Sequence, residues 1–466
     1  MTNIEWTARS LAHVWHPCTQ MQDHAGGDAA NIPLIPIAKA EGVWLEDYEG
    51  RRYLDGVSSW WTNIFGHRHP HIVASLKDQL DTLDHVIFAG FTHQPAVELA
   101  ERLVKLAPPG LDRCFFADNG SAAVEVALKM SFHYWRNVGK PQKTRYIALT
   151  GGYHGETLGA LAVGHTGLYR DTYASLLLQP IHVPSPDCYE RPAGESWEDY
   201  TRRRFADMEA VLAQHAHEAC AVILEPLVQC AGGMRMYHPI YLSMLREACD
   251  RHGVHLIADE IAVGFGRTGK MFACNWAPQK TGPNGITPDF MCLSKGITSG
   301  TLPLAVTLTR DAIYQAFYDE YRAGKAFLHS HSYTGNPLAC RAALATLDVF
   351  EKQDWMARVR LLGQFLWSAT ASLRSHRYVA EVRQQGLILA VELARRPQTR
   401  EAFPAAERRG LRAYRHALAT HKDFGVLLRP LGDILYFMPP YVIEPREVEA
   451  MARIACEAID YATQDD

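Results

Sequence analysis

Short apolar runs alternate with segments of helical period through the middle of the chain. The runs are CFFA at 114–117, YIAL at 146–149, CAVIL at 220–224, VHLIA at 254–258 and FMCL at 290–293. Between them lie segments such as AAVEVALKMSFHYW, with Val124, Ala127, Leu128 and Phe132 on one helical face. Runs this short and continuous predict strands buried on both sides. Strand alternating with helix predicts an α/β domain, a mostly parallel sheet with helices on both faces, spanning 60–351. Within it, helices are expected over about 71–83 and 94–106, the second stopped by Pro108-Pro109-Gly110. Another, rich in charge, should run to about Glu218.

The flanks read differently. Residues 33–56 alternate apolar and polar with turns at Glu41-Gly42 and Glu49-Gly50, which predicts a small antiparallel meander. The first thirty residues, with Trp15-His16-Pro17 and Gly26-Gly27, read as extended chain and loop. After Pro337 a long helix leaves the large domain, and 352–466 mixes helices with LILAVELA, GVLLRPLG and ILYFMPPYVI. This predicts a smaller α+β domain. Segment 1–59 should pack with it, because a small sheet alone is marginal.

The composition of the 466 residues, 47% hydrophobic and 21% charged, is that of an ordinary globular protein. A net charge of −4 gives no footing for nucleic acid or a membrane surface. The ten cysteines form no C-x-x-C pair and read as reduced packing residues. The N-terminus has no apolar signal core, and no window is apolar enough to span a bilayer. The expected compartment is the cytoplasm.

Two of the apolar runs are followed by ionisable residues: Asp259, with Glu260 beside it, and Lys295. Ligands of open parallel sheets sit at the carboxyl ends of strands, so an acid and an amine are expected in one crevice. An amine there supports Schiff-base chemistry, and burial lowers its pKa toward neutrality. A carboxylate there can keep a pyridinium nitrogen protonated. Alone, the pair reads more simply as a solvated lysine opening a helix and an N-cap or surface ion pair. The other constellations decide between these.

Asn119-Gly120-Ser121 lies between strand and helix, an anion site or an ordinary cap in equal measure. Tyr153-His154-Gly155 occupies the next such turn, where an aromatic can stack on a planar ring. GFGRTG at 264–269 matches a dinucleotide fingerprint, but KMFACNWAPQKTGPNG after it is no helix, which argues against nicotinamide. His329 and His331 lack a third metal ligand, so HSHSYTGN reads as a loop with hydroxyl contacts. No metal is expected. Trp60-Trp61 is a core anchor or an apolar substrate wall. Arg429 grips a carboxylate or makes a surface ion pair. Arg202–Arg204 read as a solvated helix face.

Together these residues resemble the class III aminotransferases, pyridoxal-phosphate enzymes of fold type I. The resemblance runs in order through NGSAAVEVALK, GGYHGETLGA, EPLVQCAGGM, IADEIAVGFGRTGKMFA, the lysine of LSKG, and GNPLAC. VWHP, DGVSSWW, VQCAGGMRMYHP and RPLGDILYFMPPY, with Ala262, resemble the biotin-pathway branch. The resemblance implies transfer of an amino group to 8-amino-7-oxononanoate, with S-adenosylmethionine as donor. The alternative is transfer among ω-amino acids or polyamines. It implies pyridoxal 5′-phosphate held by Gly120, Ser121, Tyr153, Asp259 and Lys295, with Lys295 catalytic. It implies a homodimer with shared active sites, each partner lending His331 and Ser332 to the phosphate. Trp60, Tyr153, Lys295, Ser330, Arg429 and Tyr436 would border substrate. Cys18 stands where the family often has Tyr, and His331-Ser332 where it has Pro-Thr.

Overall fold

The structure is a computed structural model describing residues 1–25, 31–278 and 285–464. The Gly26-Gly27 pair lies outside the described residues. Contacts gather the chain into two compact units, His71–Met356 and Met1–Pro70 with Ala357–Asp466.

In the first unit, seven strands form one sheet. They are β4 (Arg113–Ala117), β5 (Arg145–Leu149), β6 (Ile181–Val183), β7 (Ala219–Leu224), β10 (His255–Asp259), β11 (Phe290–Leu293) and β12 (Ala305–Thr309). Their order is β4-β12-β11-β10-β7-β5-β6, and only β12 runs against the rest. A short ribbon, β8 (Val228–Gln229) with β9 (Arg235–Met236), follows β7. β7, β10, β11 and β12 are buried at every position, as continuous apolar runs require. The helix Gly120–Asn137 lays Ala123, Val124, Ala127 and Leu128 into the core with Ile223, Ile257 and Phe290. Helices Trp197–His215 and Ile240–His252 pack together through Phe205 and Tyr241, whose ring centroids are 5.2 Å apart. The fold is thus α/β with a mostly parallel sheet. Because six strands share a direction, the residues after β4, β5, β7, β10 and β11 emerge at one sheet edge.

In the second unit, β1 (Ile37–Glu41), β2 (Trp44–Asp47) and β3 (Arg52–Asp55) form the antiparallel meander. β15 (Phe424–Leu427) adds to β3 in parallel, with Leu427 opposite Asp55. The chain after each strand therefore leaves at the same end. Gly56 is required here, because a Cβ would come within 2.8 Å of the Leu427 carbonyl oxygen. A second sheet has the order β13-β14-β16, from β13 (Val379–Gln385), β14 (Ile388–Leu393) and β16 (Ile434–Phe437).

Several expectations differ from the structure. The units divide at Pro70 and Met356 rather than at 59 and 351. Residues 60–70 belong with the meander because Tyr441 N–H donates to the Ile64 carbonyl at 2.7 Å and Phe65 packs edge-on against Tyr441. The N-terminal segment is not all extended. It holds a helix, Asn3–His13, with a Thr2–Glu5 capping box and no buried residue. The helix expected over 71–83 spans Pro70–Leu80. Arg202 and Arg203 do make exposed ion pairs, to Glu198 and Glu195. Among the described residues no helix is long and apolar enough to cross a membrane.

Ile257 sits in the middle of β10, wholly buried between β7 and β11. Ile257→Ala should lower stability by ~2–5 kcal/mol, read as a fall in the urea midpoint at unchanged slope.

Candidate active site

Asp259 ends β10 beside Cys292 of β11, and Lys295 follows three residues later. Asp259 is buried, and its Oδ1 accepts the Ile261 amide at 3.1 Å. Its Oδ2 lies 2.7 Å from His154 Nδ1. A carboxylate only accepts, so Nδ1 carries the proton and the imidazole fixes the direction of the acid. Lys295 takes a left-handed backbone (φ 47°), so it opens a short 3₁₀ turn rather than a solvated helix. The residue keeps some surface, but its amino group is desolvated. Burial pulls its pKa below the usual lysine range, against the opposing charge of Asp259. An amine with a lowered pKa near a fixed carboxylate is a nucleophile.

Glu225, just beyond β7, takes the amides of Tyr153 at 3.0 Å and Cys230 at 2.9 Å. Burial pushes its pKa up to about 7, and the Asp259 charge adds to this. Glu260 accepts the Ala273 and Cys274 amides at 2.9 and 2.7 Å and is likewise raised by burial to about 7. Tyr153 is half-buried, its hydroxyl donating to Glu156.

The helix Gly120–Asn137 begins at the same sheet edge. The Asn119 side chain caps it by accepting the Ala122 amide at 3.0 Å. The Gly120 and Ser121 amides precede any helical acceptor and are available to an anion. The Ser121 hydroxyl is 2.7 Å from Thr157 Oγ1, which itself donates to Glu125 Oε1 at 2.6 Å. Thr157 has spent its proton, so Ser121 donates to Thr157. The turn is also crowded: a Cβ on Gly120 would meet Ile261 at 3.0 Å, and one on Gly155 would overlap Ser121.

His331 and Ser332 lie in a turn closed by Thr334, whose Oγ1 donates to the His331 carbonyl at 2.8 Å. Ser330 and Ser332 are exposed. Lys129, over two helical turns beyond Ser121, reaches His329 Nδ1 at 3.0 Å. No hydrogen bond among the described residues joins His331 or Ser332 to Gly120 or Ser121.

In the other unit, the Arg429 guanidinium lies 5.5 Å from the Trp60 ring centroid. Trp60 is 45% exposed, whereas Trp61 is buried and its indole donates to the Tyr436 hydroxyl at 3.0 Å. Of the two tryptophans, one is therefore an anchor and one faces out. Tyr436 is itself buried. The stretch Ser58–Trp61 is a turn of left-handed residues.

The GFGRTG stretch closes on itself, Gly266 N–H donating to the Met271 carbonyl at 3.1 Å, and the next helical element is a short 3₁₀ turn, Ala273–Trp276. Among the described residues, no cluster of three histidine, cysteine or acidic side chains could hold a metal. No disulfide joins any of the ten cysteines.

The model of the family Aminotransferase class-III matches residues 26–459. The chain belongs to the class III aminotransferases. Many relatives share this likeness over most of their length. The adenosylmethionine-8-amino-7-oxononanoate aminotransferase of Geobacter sulfurreducens is 45% identical over 96% of this chain and 94% of its own. That of Helicobacter pylori is 42% identical over 97% of each. The crystal structure of the Methanocaldococcus jannaschii enzyme of that name superposes with a TM-score of 0.91 at 34% identity, over 99% of this chain and 100% of its own. An omega transaminase from Pseudomonas jessenii, in complex with PMP, gives 0.90 at 28% identity, over 98% of each.

Class III aminotransferases depend on pyridoxal phosphate. The residues of this aminotransferase fit that group. A desolvated amine suits its aldehyde, a buried oriented carboxylate suits its ring nitrogen, and free amides at a helix start suit its phosphate. The sequence gives no role to His154, Glu225, Thr157 or Glu125. Only the strand order reveals them, by bringing the turns after β5 and β7 beside Asp259.

The raised pKa of Glu225 has a consequence for stability. A folded pKa above the unfolded 4.5 adds stability below pH 4.5, which is lost as pH rises through about 7. Glu225→Gln should therefore flatten the fall in stability between about pH 4.5 and 7 by a few kcal/mol. Glu260 should leave a residual slope of the same sign. Urea midpoints across that range measure it.

Proposed function

We propose that this aminotransferase transfers an amino group from S-adenosylmethionine to 8-amino-7-oxononanoate, giving 7,8-diaminononanoate in biotin biosynthesis, in the cytoplasm. The carrying observation is the near-full-length likeness, at up to 45% identity, to relatives named for that reaction. Omega transaminases match the fold equally well but at 28% identity. When bound, pyridoxal 5′-phosphate supplies an aldehyde that condenses with amines and a ring that accepts the electron pair left by a departing proton.

Lys295 would hold the cofactor covalently. Its Nζ would be the base that takes a proton from the amine-bearing carbon of the donor and, in the other half-reaction, the acid that delivers one to the amine-bearing carbon formed from the keto acid. Asp259, fixed by His154, would keep the ring nitrogen protonated. The Gly120 and Ser121 amides would take the phosphate. Tyr153 would cover the ring and touch substrate.

His331 and Ser332 are assigned to the phosphate of the partner subunit in a homodimer. Arg429 would pair with the keto-acid carboxylate, and Trp60 would line its apolar chain, with Ser330 and Tyr436 bordering the same substrate.

The direct test mixes holoenzyme singly with S-adenosylmethionine, lysine, β-alanine and a diamine while following the cofactor's visible absorbance. Bleaching by S-adenosylmethionine, then recovery on adding 8-amino-7-oxononanoate, is the expected result. Bleaching only by β-alanine or the diamine would move the chain to the general omega transaminases. Arg429→Ala should raise KM for the keto acid by roughly 10–100-fold, as loss of a charged hydrogen-bonded pair does. The donor half-reaction should change little. Equal loss in both halves would count against its role.

A further inference from the structure

Trp60 is offered to solvent by a backbone that its sequence disfavours. Ser58, Ser59, Trp60 and Trp61 have φ of 50°, 44°, 73° and 72°. L-residues enter this region singly, not in runs. Such conformations persist where the surroundings over-determine them, and they gather at functional sites.

The restraints converge on Asp55, the last residue of β3, which is wholly buried. Its Oδ1 accepts the Ser59 amide at 2.8 Å and the Val57 amide at 3.3 Å. Its Oδ2 accepts the Ser59 hydroxyl at 2.7 Å and His67 Nε2 at 2.9 Å. Two further ties hold the turn from the far side. Ser58 Oγ donates to the Met438 carbonyl at 2.7 Å, and the Trp61 indole donates to Tyr436. Between these anchors the Trp60 ring projects outward beside Arg429, where a cavity of about 280 Å³ is lined by both residues with His16, Leu427 and Tyr414.

The parallel pairing of β3 with β15 puts Asp55 opposite Leu427, two residues before Arg429. Asp55 thus sits beside the strand end that leads to Arg429, while its carboxylate holds the turn that carries Trp60. A right-handed Ser59 would break the hydrogen bond from its backbone N–H to Asp55 Oδ1 and swing the Trp60 ring away from Arg429.

We propose that Asp55 is a positioning residue for substrate recognition, holding the Ser58–Trp61 turn left-handed and so keeping Trp60 against Arg429. The inference rests on the reading that Trp60 and Arg429 border the keto acid. It adds a residue that touches no substrate and acts through another.

The test compares four holoenzymes: wild type, Asp55→Ala, Asp55→Ala with Ser59→Gly, and Trp60→Ala. Calorimetry reads the binding of nonanoate, an apolar chain with one carboxylate. Steady-state kinetics reads KM and kcat for 8-amino-7-oxononanoate, and thermal melting reports the fold. Asp55→Ala should weaken nonanoate binding and raise KM by on the order of 10–100-fold, as misplacement of a binding group does, with a smaller change in kcat. Adding Ser59→Gly, which removes the steric penalty of positive φ, should return part of the lost affinity. A merely structural Asp55 would lower the melting temperature and leave KM alone, and the added glycine would rescue nothing.

A folded Asp55→Ala with normal binding and KM, alongside a weakened Trp60→Ala, overturns the positioning role while sparing the substrate reading. Normal binding and KM in Trp60→Ala overturn the substrate reading itself, and the inference with it. If Asp55→Ala fails to fold, Asp55→Asn, which keeps one acceptor oxygen, takes its place and the same two results decide.

Discussion

The hydrogen bond between His154 and Asp259 is the interaction on which the rest depends. An ionised carboxylate taken out of water costs several kcal/mol unless it is paired and hydrogen-bonded. Asp259 meets that condition with the His154 imidazole on one oxygen and the Ile261 amide on the other. The two partners come from different strand turns, which only a parallel sheet delivers to one edge. The neighbouring acids respond to the same confinement. Glu225 and Glu260 are raised to about 7, which lowers the cost of burying three acids together. Lys295, desolvated beside this cluster, has its pKa lowered and gains a nucleophilic amine.

The second unit solves a different problem. It must hold an apolar ring and a guanidinium side by side at a surface, without a core to press them together. Parallel pairing of β3 and β15 aligns the two chain exits. The left-handed turn after β3 then costs roughly 1–2 kcal/mol for each non-glycine residue. The Asp55 carboxylate, the Ser58 hydroxyl and the Trp61 indole offset that cost with buried hydrogen bonds. The strain is concentrated at the residue assigned to substrate, which is where a fold tolerates it.

Much of this was legible in the chain. Continuous apolar runs marked β7, β10 and β11, and the ionisable residues just after two of them marked Asp259 and Lys295. After GFGRTG the chain makes only a four-residue 3₁₀ turn, Ala273–Trp276, where a dinucleotide fingerprint opens a long helix. What was missed has physical causes. The Asn3–His13 helix carries only a short apolar stripe, Ile4, Ala8 and Leu11, and buries none of it, although Thr2 and Glu5 spelled its cap. β13 is half-buried and polar, VAEVRQQ, and lacks a clean alternation. The left-handed turn at Ser58–Trp61 opposes local propensity and is set by contacts with Met438 and Tyr436, some 380 residues away. His154 pairs across 105 residues of sequence, so its role appears only once the strand order is known.

Lys295, and no other lysine, is the residue proposed to hold the cofactor. Borohydride reduction of the holoenzyme fixes the bound cofactor to its lysine, and peptide mass spectrometry then locates it. The pyridoxyl label is expected in a single peptide, on Lys295 of LSKG. Lys143 is the informative control, because burial also depresses its pKa, to about 8, but it is bound to three backbone carbonyls. A label on Lys143, or spread over several lysines, would contradict the assignment of the site.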